Sequence, residues 1–282
     1  DNQDAVFPSN NKSQPNQLVS INQAGAEYTV WFAPDNTTSF SASATMTSAD
    51  GTATSIPAPN NEGIYHLYVL NANDIASEPS IATLTVDNTP PAIDSVFIPQ
   101  GDYIVGDTMK VEIHTDMAGY IEEDIRINGI DVTGFSNTNK VHEVNYVVNE
   151  GHTERDTLPD IPIHVELKDS IGNINAAITT AVSDGHVSIR TSRPQAFVTG
   201  SANICEGDTA EVTFTLFGHA PWAVKLDNNA NDSISNITSS PYTYIVTQTD
   251  TISITKVYDV YGNYNTGNGE VLITANPLPN IG

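Results

Sequence analysis

Three times along this chain an alternating apolar run stops at a short turn rich in Asp and Asn and then resumes. The copies read IYHLYVLNANDIASEPSIATLTV, IPIHVELKDSIGNINAAITTAV and TISITKVYDVYGNYNTGNGEVLITA. Period-two alternation bounded by turn residues specifies strand, turn, strand. Aligned on NDIASE, KDSIGN and YDVYGN, the turns place Asp74, Asp169 and Asp259 at one structural position. Gly172 and Gly262 then supply the positive φ that such a turn uses, with Ala76 standing there in the first copy. A proline follows each copy: Pro90-Pro91, then Pro194, then Pro277 and Pro279.

A second marker opens the later units. IDSVFIPQGDYIVGDTMKVEIH and AFVTGSANICEGDTAEVTFTL both give a strand, a loop, then Gly-Asp-Thr before another alternating strand. No stretch carries a 3.6-residue apolar period with caps. The chain is rich in β-branched residues, which suit pleated surfaces. The expected fold class is therefore all-β, with three tandem immunoglobulin-like β-sandwich domains in an elongated array. The boundaries fall at 1–89, 90–193 and 194–282, the last including the start of a following linker. TLTVDNTPPAIDSV shows the coupling: Val86 ends one sandwich, Pro90 and Pro91 fix φ and hold their predecessors extended, and Ile93 opens the next.

The 282 residues carry a net charge of −24, which excludes the positive footprint of a nucleic-acid binder and disfavours an anionic membrane surface. No apolar run is long enough to span a bilayer. The chain contains no G-x-S-x-G, H-E-x-x-H, phosphate-loop or dinucleotide-binding motif. In YIEEDIRING, Glu122, Glu123 and Asp124 are adjacent, so strand geometry sends neighbours to opposite faces and no catalytic carboxylate pair forms. An enzyme is not expected, and no cofactor is required. Trp31 and Trp222 lie in apparent inner strands and read as core. The single Cys205 reads as a buried strand-edge thiol.

Calcium is the one ion these residues invite. LDNNANDSISNIT has Asp227, Asn229 and Asn231 at EF-hand spacing, but Asp232 replaces the glycine and Thr238 the glutamate, so it reads as a β-hairpin loop. The joints offer better oxygens. Asp74, Asp87 and Asn88 are the expected ligands at the first joint, and Asp169 and Asp184 at the second, where Arg190 and Arg193 would oppose a cation. The competing reading has Asp74, Asp169 and Asp259 bonding only their own turn backbones.

These same stretches resemble a known group. VWFAP, GTATSI and TLTVDNTPP in the first unit, and VGDT, IDVTGF, VNEG and DIPIHVELKDSIGN in the second, look like repeats of very large secreted bacterial proteins. The third unit, ICEGDTAEVTFTLFGHAPWAVKL with YDVYGN and NPLP, resembles the immunoglobulin-like repeats of giant surface adhesins in the Bacteroidota, including adhesins exported by the type IX system and used in gliding motility. Members of that repeat type often carry a second cysteine near the last turn. DVYGNYNTG has none, so the resemblance implies an unpaired Cys205. It implies a non-enzymatic, monomeric, extracellular stalk segment whose partners are neighbouring repeats and surface glycans or an abiotic surface. NPLPNIG reads as the start of a further repeat. The alternative is a set of carbohydrate-binding or accessory modules of a secreted polysaccharide-degrading enzyme.

Overall fold

A computed structural model describes residues 11–279 of the protein. The outer ends of the first and third expected units, 1–10 and 280–282, lie outside the described residues. The chain is all-β, built of immunoglobulin-like sandwiches, with one 3-10 turn among the described residues, at Leu158–Asp160. No helix among the described residues is long and apolar enough to cross a membrane.

The first sandwich contains β1 (Asn11–Ser13), β2 (Leu18–Ser20), β3 (Thr29–Ala33), β4 (Thr47–Asp50), β5 (Ser55–Pro57), β6 (Gly63–Leu70) and β7 (Thr83–Val86). Its larger sheet runs β1-β7-β6-β3-β4, and β2 pairs β5. Alternation sends Val30, Phe32, Tyr65, Leu67 and Leu84 inward against Val19 and Ile56. Fully burying a side chain such as Phe32 contributes about 1.5–3 kcal/mol. Tyr68 and Leu70, on the other face of β6, are buried too, in a small cluster with Trp31, Phe40 and Met46. Trp31 meets Phe40 edge-on at 5.9 Å, and Phe40 meets Tyr68 at 5.1 Å. Trp31 is thus not an inner-core residue: strand parity puts it opposite Phe32, beneath the segment that joins β3 to β4.

The second sandwich contains β8 (Ile93–Phe97), β9 (Gly101–Ile104), β10 (Thr108–Thr115), β11 (Ile121–Ile127), β12 (Ile130–Asp131), β13 (Thr133–Thr138), β14 (Val141–Val147), β15 (Ile163–Lys168) and β16 (Val187–Arg190). Its sheets run β13-β14-β10-β8, β12-β11-β15 and β16-β9 around a core that includes Met109, Val111, Tyr146 and Leu167. The acidic run straddles a bulge between Glu122 and Asp124, where Glu123 pairs with Lys168 and Asp124 with Arg126.

The third sandwich contains β17 (Gln195–Thr199), β18 (Ala202–Cys205), β19 (Ala210–Phe217), β20 (Trp222–Asp227), β21 (Ser233–Ile237), β22 (Tyr242–Val246), β23 (Asp250–Tyr258), β24 (Tyr264–Asn265) and β25 (Glu270–Asn276). One sheet runs β17-β19-β22 and the other β18-β25-β23-β20-β21, with β24 on β23. Phe214, Trp222 and Ile252 sit in the core between them. The calcium-like stretch is the β20–β21 hairpin, whose Asp232 accepts from Tyr244 Oη and Asn228 Nδ2. Cys205 is free but exposed, not buried, because it ends β18 at the pole of the sheet.

Two local features recur in every sandwich. An early strand pairs parallel with the last one: β1 with β7, β9 with β16, β18 with β25. Each early strand then enters a β-turn, Gln14–Gln17, Ile104–Asp107 or Cys205–Asp208, closed by a backbone bond of 3.3, 3.0 and 3.0 Å. The third residue has positive φ in each: Asn16 (61°), Gly106 (100°) and Gly207 (94°). The second feature is the Asx turn that caps the recurrent hairpin. Its first residue donates its N–H to the carbonyl of its fifth: Asn71 to Ile75, Asp169 to Asn173 and Asp259 to Asn263. The fourth residue has positive φ: Asp74 (57°), Gly172 (104°) and Gly262 (93°). Asp74 therefore corresponds to the two glycines, not to Asp169 and Asp259. Asn71 takes the acid's place, and the sequence alignment of the first turn is corrected by three residues.

Candidate functional site

The recurrent turns meet where one sandwich joins the next. At the first joint the Asx turn Asp169–Asn173 of the second sandwich seats against the β-turn Gln14–Gln17 of the first. Asn173 Oδ1 accepts from Gln14 Nε2 at 3.0 Å, and its Nδ2 donates to Asp87 O at 3.2 Å. Asn173 is only 5% exposed. Gln14 reaches with its side chain because the next residue, Pro15, has no N–H to offer. The linker is tied back to the first sandwich, since Glu62 Oε1 accepts from Asn88 N and Thr89 Oγ1, both at 2.8 Å.

The second joint repeats the arrangement. Asn263 of the turn Asp259–Asn263 is 2% exposed, and its Oδ1 accepts from Val105 N at 3.0 Å. Val105 stands where Pro15 stands in the first joint, so here a backbone N–H serves. Arg190, at the end of β16, lies 4.3 Å over the Tyr261 ring. Its guanidinium is held from behind by Asp156. Arg193 Nη1 donates to Tyr264 O at 2.9 Å. His219 bridges the joint, with Nε2 3.4 Å from Glu154 Oε2 and Nδ1 3.9 Å from Asp259 Oδ2.

Each turn is also closed by its own hydrogen bonds. Asp169 Oδ1 accepts from the backbone N–H groups of Ile171, Gly172 and Asn173, and Oδ2 from Asn173 Nδ2. Burial works to raise the Asp169 pKa, but these hydrogen bonds outweigh it and hold the carboxyl below its usual range. Asp259 is bonded in the same way to Tyr261 and Asn263.

The expected calcium sets are not brought together. Gly63 pairs Val86 beside Asp87, while Asp74 follows the far end of β6, roughly 23 Å away at about 3.3 Å per residue. Asp169 lies at the first joint, not the second, because its turn follows β15 at the pole facing the first sandwich. Its oxygens are already occupied. Asp184 lies on the flank of the second sandwich, where Oδ1 accepts from Gln100 N at 3.2 Å. Of the expected ligands, only Asp87, Asn88 and Asp169 share a joint, beside a cleft of about 370 Å³ that Lys12 also lines. Elsewhere Asp124, His164 and Glu166 place ligand atoms within 4.8 Å of one another, but Arg126 already binds Asp124 through both Nε and Nη2.

Sugar-stacking aromatics are arranged no better. Trp222 is 7% exposed, and Trp31 is packed on Phe40. The exposed pair Phe197 and Phe217 meets at 86°, which offers no flat platform.

Sequence reasoning placed Arg190 and Arg193 at the second joint but gave them a repulsive role. It missed Gln14, Asn173, Val105, Asn263 and His219. The signal for two of them was present: KDSIGN and YDVYGN both end in Gly-Asn, the residues that turn and dock.

No protein-family model matches the chain, and no curated protein matches it. Solved structures do align with it. Drosophila N-cadherin EC1-3 covers 97% of this chain and 100% of its own, at 8% identity and a TM-score of 0.22. The four N-terminal Ig domains of Dscam1 isoform 4.44 cover 94% and 72%, at 8% and 0.24. A marsupial T cell receptor covers 95% and 98%, at 9% and 0.34. Superpositions this loose carry no argument, and the sandwich assignment rests on the chain's own strand pairing.

Proposed function

We propose that this chain is a non-enzymatic spacer: immunoglobulin-like sandwiches latched end to end in a large cell-surface adhesive protein, of the type its repeats resemble in Bacteroidota adhesins. The observation that carries the reading is the repeated latch. At both joints a buried Asn at the fifth position of an Asx turn bonds the β-turn of the preceding sandwich. A proline-bearing linker alone limits the joint's range. The added latch selects one orientation within it, which is what a projecting stalk needs and a loose tether does not.

Small-angle scattering tests this. The whole chain should give an elongated envelope fitted by one arrangement of the sandwiches, and the N173A/N263A variant should require an ensemble. A broad ensemble in the unsubstituted chain overturns the spacer reading. Specific capture of a glycan on an array, retained in the latch variant, would favour the sugar-binding alternative instead.

A further inference from the structure

We infer that protonation of His219 tightens the joint between the second and third sandwiches, making it a pH-responsive coupling. The inference rests on the latched-joint reading above and adds its regulation.

His219 lies in the loop between β19 and β20, one-third exposed, with carboxylates from two sandwiches on either side. Glu154 belongs to the segment between β14 and β15 of the second sandwich. Asp259 begins the Asx turn of the third, and its side chain is fully buried. Tyr261 of the same turn meets the imidazole edge-on at 5.2 Å, and Arg190 of β16 lies over that tyrosine. Further out, Glu150 is engaged by Arg193 at 3.4 Å. The segment carrying Glu154 also holds His152, whose Nδ1 lies 3.0 Å from Tyr146 Oη, Arg155, which donates to Asn128 Oδ1 at 2.9 Å, and Asp156, which holds Arg190.

A neutral imidazole has one N–H. If Nε2 donates to Glu154, Nδ1 presents a lone pair toward the Asp259 carboxylate, an acceptor facing an acceptor. Nδ1 is indeed buried and without a hydrogen-bond partner. Protonation turns that atom into a donor. His219 then carries a positive charge between two carboxylates, one from each side of the joint, and both ring nitrogens can donate. Glu154 stays ionised for this. Burial works to raise its pKa, but hydrogen bonds from Ser192 and Thr191, with His219 beside it, hold it below the usual range. Histidine is the side chain whose charge changes between about pH 5 and 8.

The experiment uses the whole chain with nitroxides at the exposed Cys205 and at Lys110→Cys on β10, and measures their distance distribution at constant ionic strength. From about pH 7.5 to about pH 5.5 the splayed fraction should fall about two- to fivefold, the scale of one partly exposed ion pair. In H219Q and in E154Q the distribution should not respond to pH. E154Q keeps the histidine in place and an amide oxygen for the Thr191 and Ser192 N–H groups, and removes the charge across the joint. A response that survives in both variants, or no response in the unsubstituted chain, overturns the inference. N263A separates the two readings. If it leaves the distribution at pH 7.5 unchanged, the latch itself fails; if it broadens the distribution while pH does nothing, only the role of His219 fails.

Discussion

Replacing Asn173 by Ala removes two hydrogen bonds across the first joint, to Gln14 Nε2 at 3.0 Å and Asp87 O at 3.2 Å. It also removes one within the turn, to Asp169 Oδ2 at 2.9 Å. A neutral hydrogen bond contributes about 0.5–1.5 kcal/mol net. The pair across the joint therefore sums to about 1–3 kcal/mol, and the solvent-facing cleft beside it argues for the lower half, about 1–2 kcal/mol. That is roughly a 5–30-fold change in the ratio of docked to undocked joints. The intra-turn bond complicates the single variant, because its loss also loosens the second sandwich. Gln14→Ala does not touch that bond. A double-mutant cycle of Q14A and N173A, followed by urea unfolding of the whole chain, therefore isolates the contact across the joint. The expected coupling is about 0.5–1.5 kcal/mol. Scattering from N173A should show a wider spread of overall dimensions than the parent. A coupling below about 0.3–0.5 kcal/mol, the ordinary error of additivity, together with an unchanged scattering curve would refute the latch.

His142 gives a pH prediction for the second sandwich. It is fully buried, stacked 5.2 Å from Phe135, and burial lowers its pKa below the ordinary 6.5. The unfolded chain then binds the extra proton first, so stability present above pH 6.5 is lost as pH falls toward the depressed folded value. Melting of the whole chain from pH 7.5 to 5 should show this loss, and His142→Phe should flatten it. Gly262→Ala should cost roughly 1–3 kcal/mol, because φ is +93° while an added Cβ would meet only Ile104 Cδ1, at an ordinary 3.9 Å. Denaturant unfolding would read it, and a neutral result would show that the turn relaxes freely. Because Asp74 and Asp184 lie away from the first joint and the Asp169 oxygens there already accept from their own turn, melting in calcium and in magnesium at equal ionic strength should coincide; a calcium-specific rise would point to a site gathered at a joint.

Much of the architecture was legible because it is local. Alternation in GIYHLYVL and AEVTFTLF, the Gly-Asp-Thr turns at Gly106 and Gly207, and the absence of helical periodicity together specify strands and turns within a few residues. The repeat of strand, Asx turn and strand announced sandwiches of one kind. Trp31 was misread because period-two alternation assigns a face but not what covers it. The segment carrying Phe40 and Met46 folds over that face from elsewhere.

The joints were the least legible. Which carboxylates meet depends on which pole of a sandwich each turn occupies, and that is set by strand direction and register across the whole sheet. Asp74 and Asp87 are near in sequence but at opposite ends of β6, whereas Asp87 and Asn173 are far apart in sequence and hydrogen-bonded. The sequence by itself determined the strands, the turns and the stiffening prolines, because each depends on φ preferences and side-chain alternation over a few residues. Only the tertiary structure decided that the Asx turns dock against the neighbouring sandwich. Their carboxylates are consumed by their own backbone N–H groups, and the residue left facing the neighbouring sandwich is an amide that can donate and accept at once.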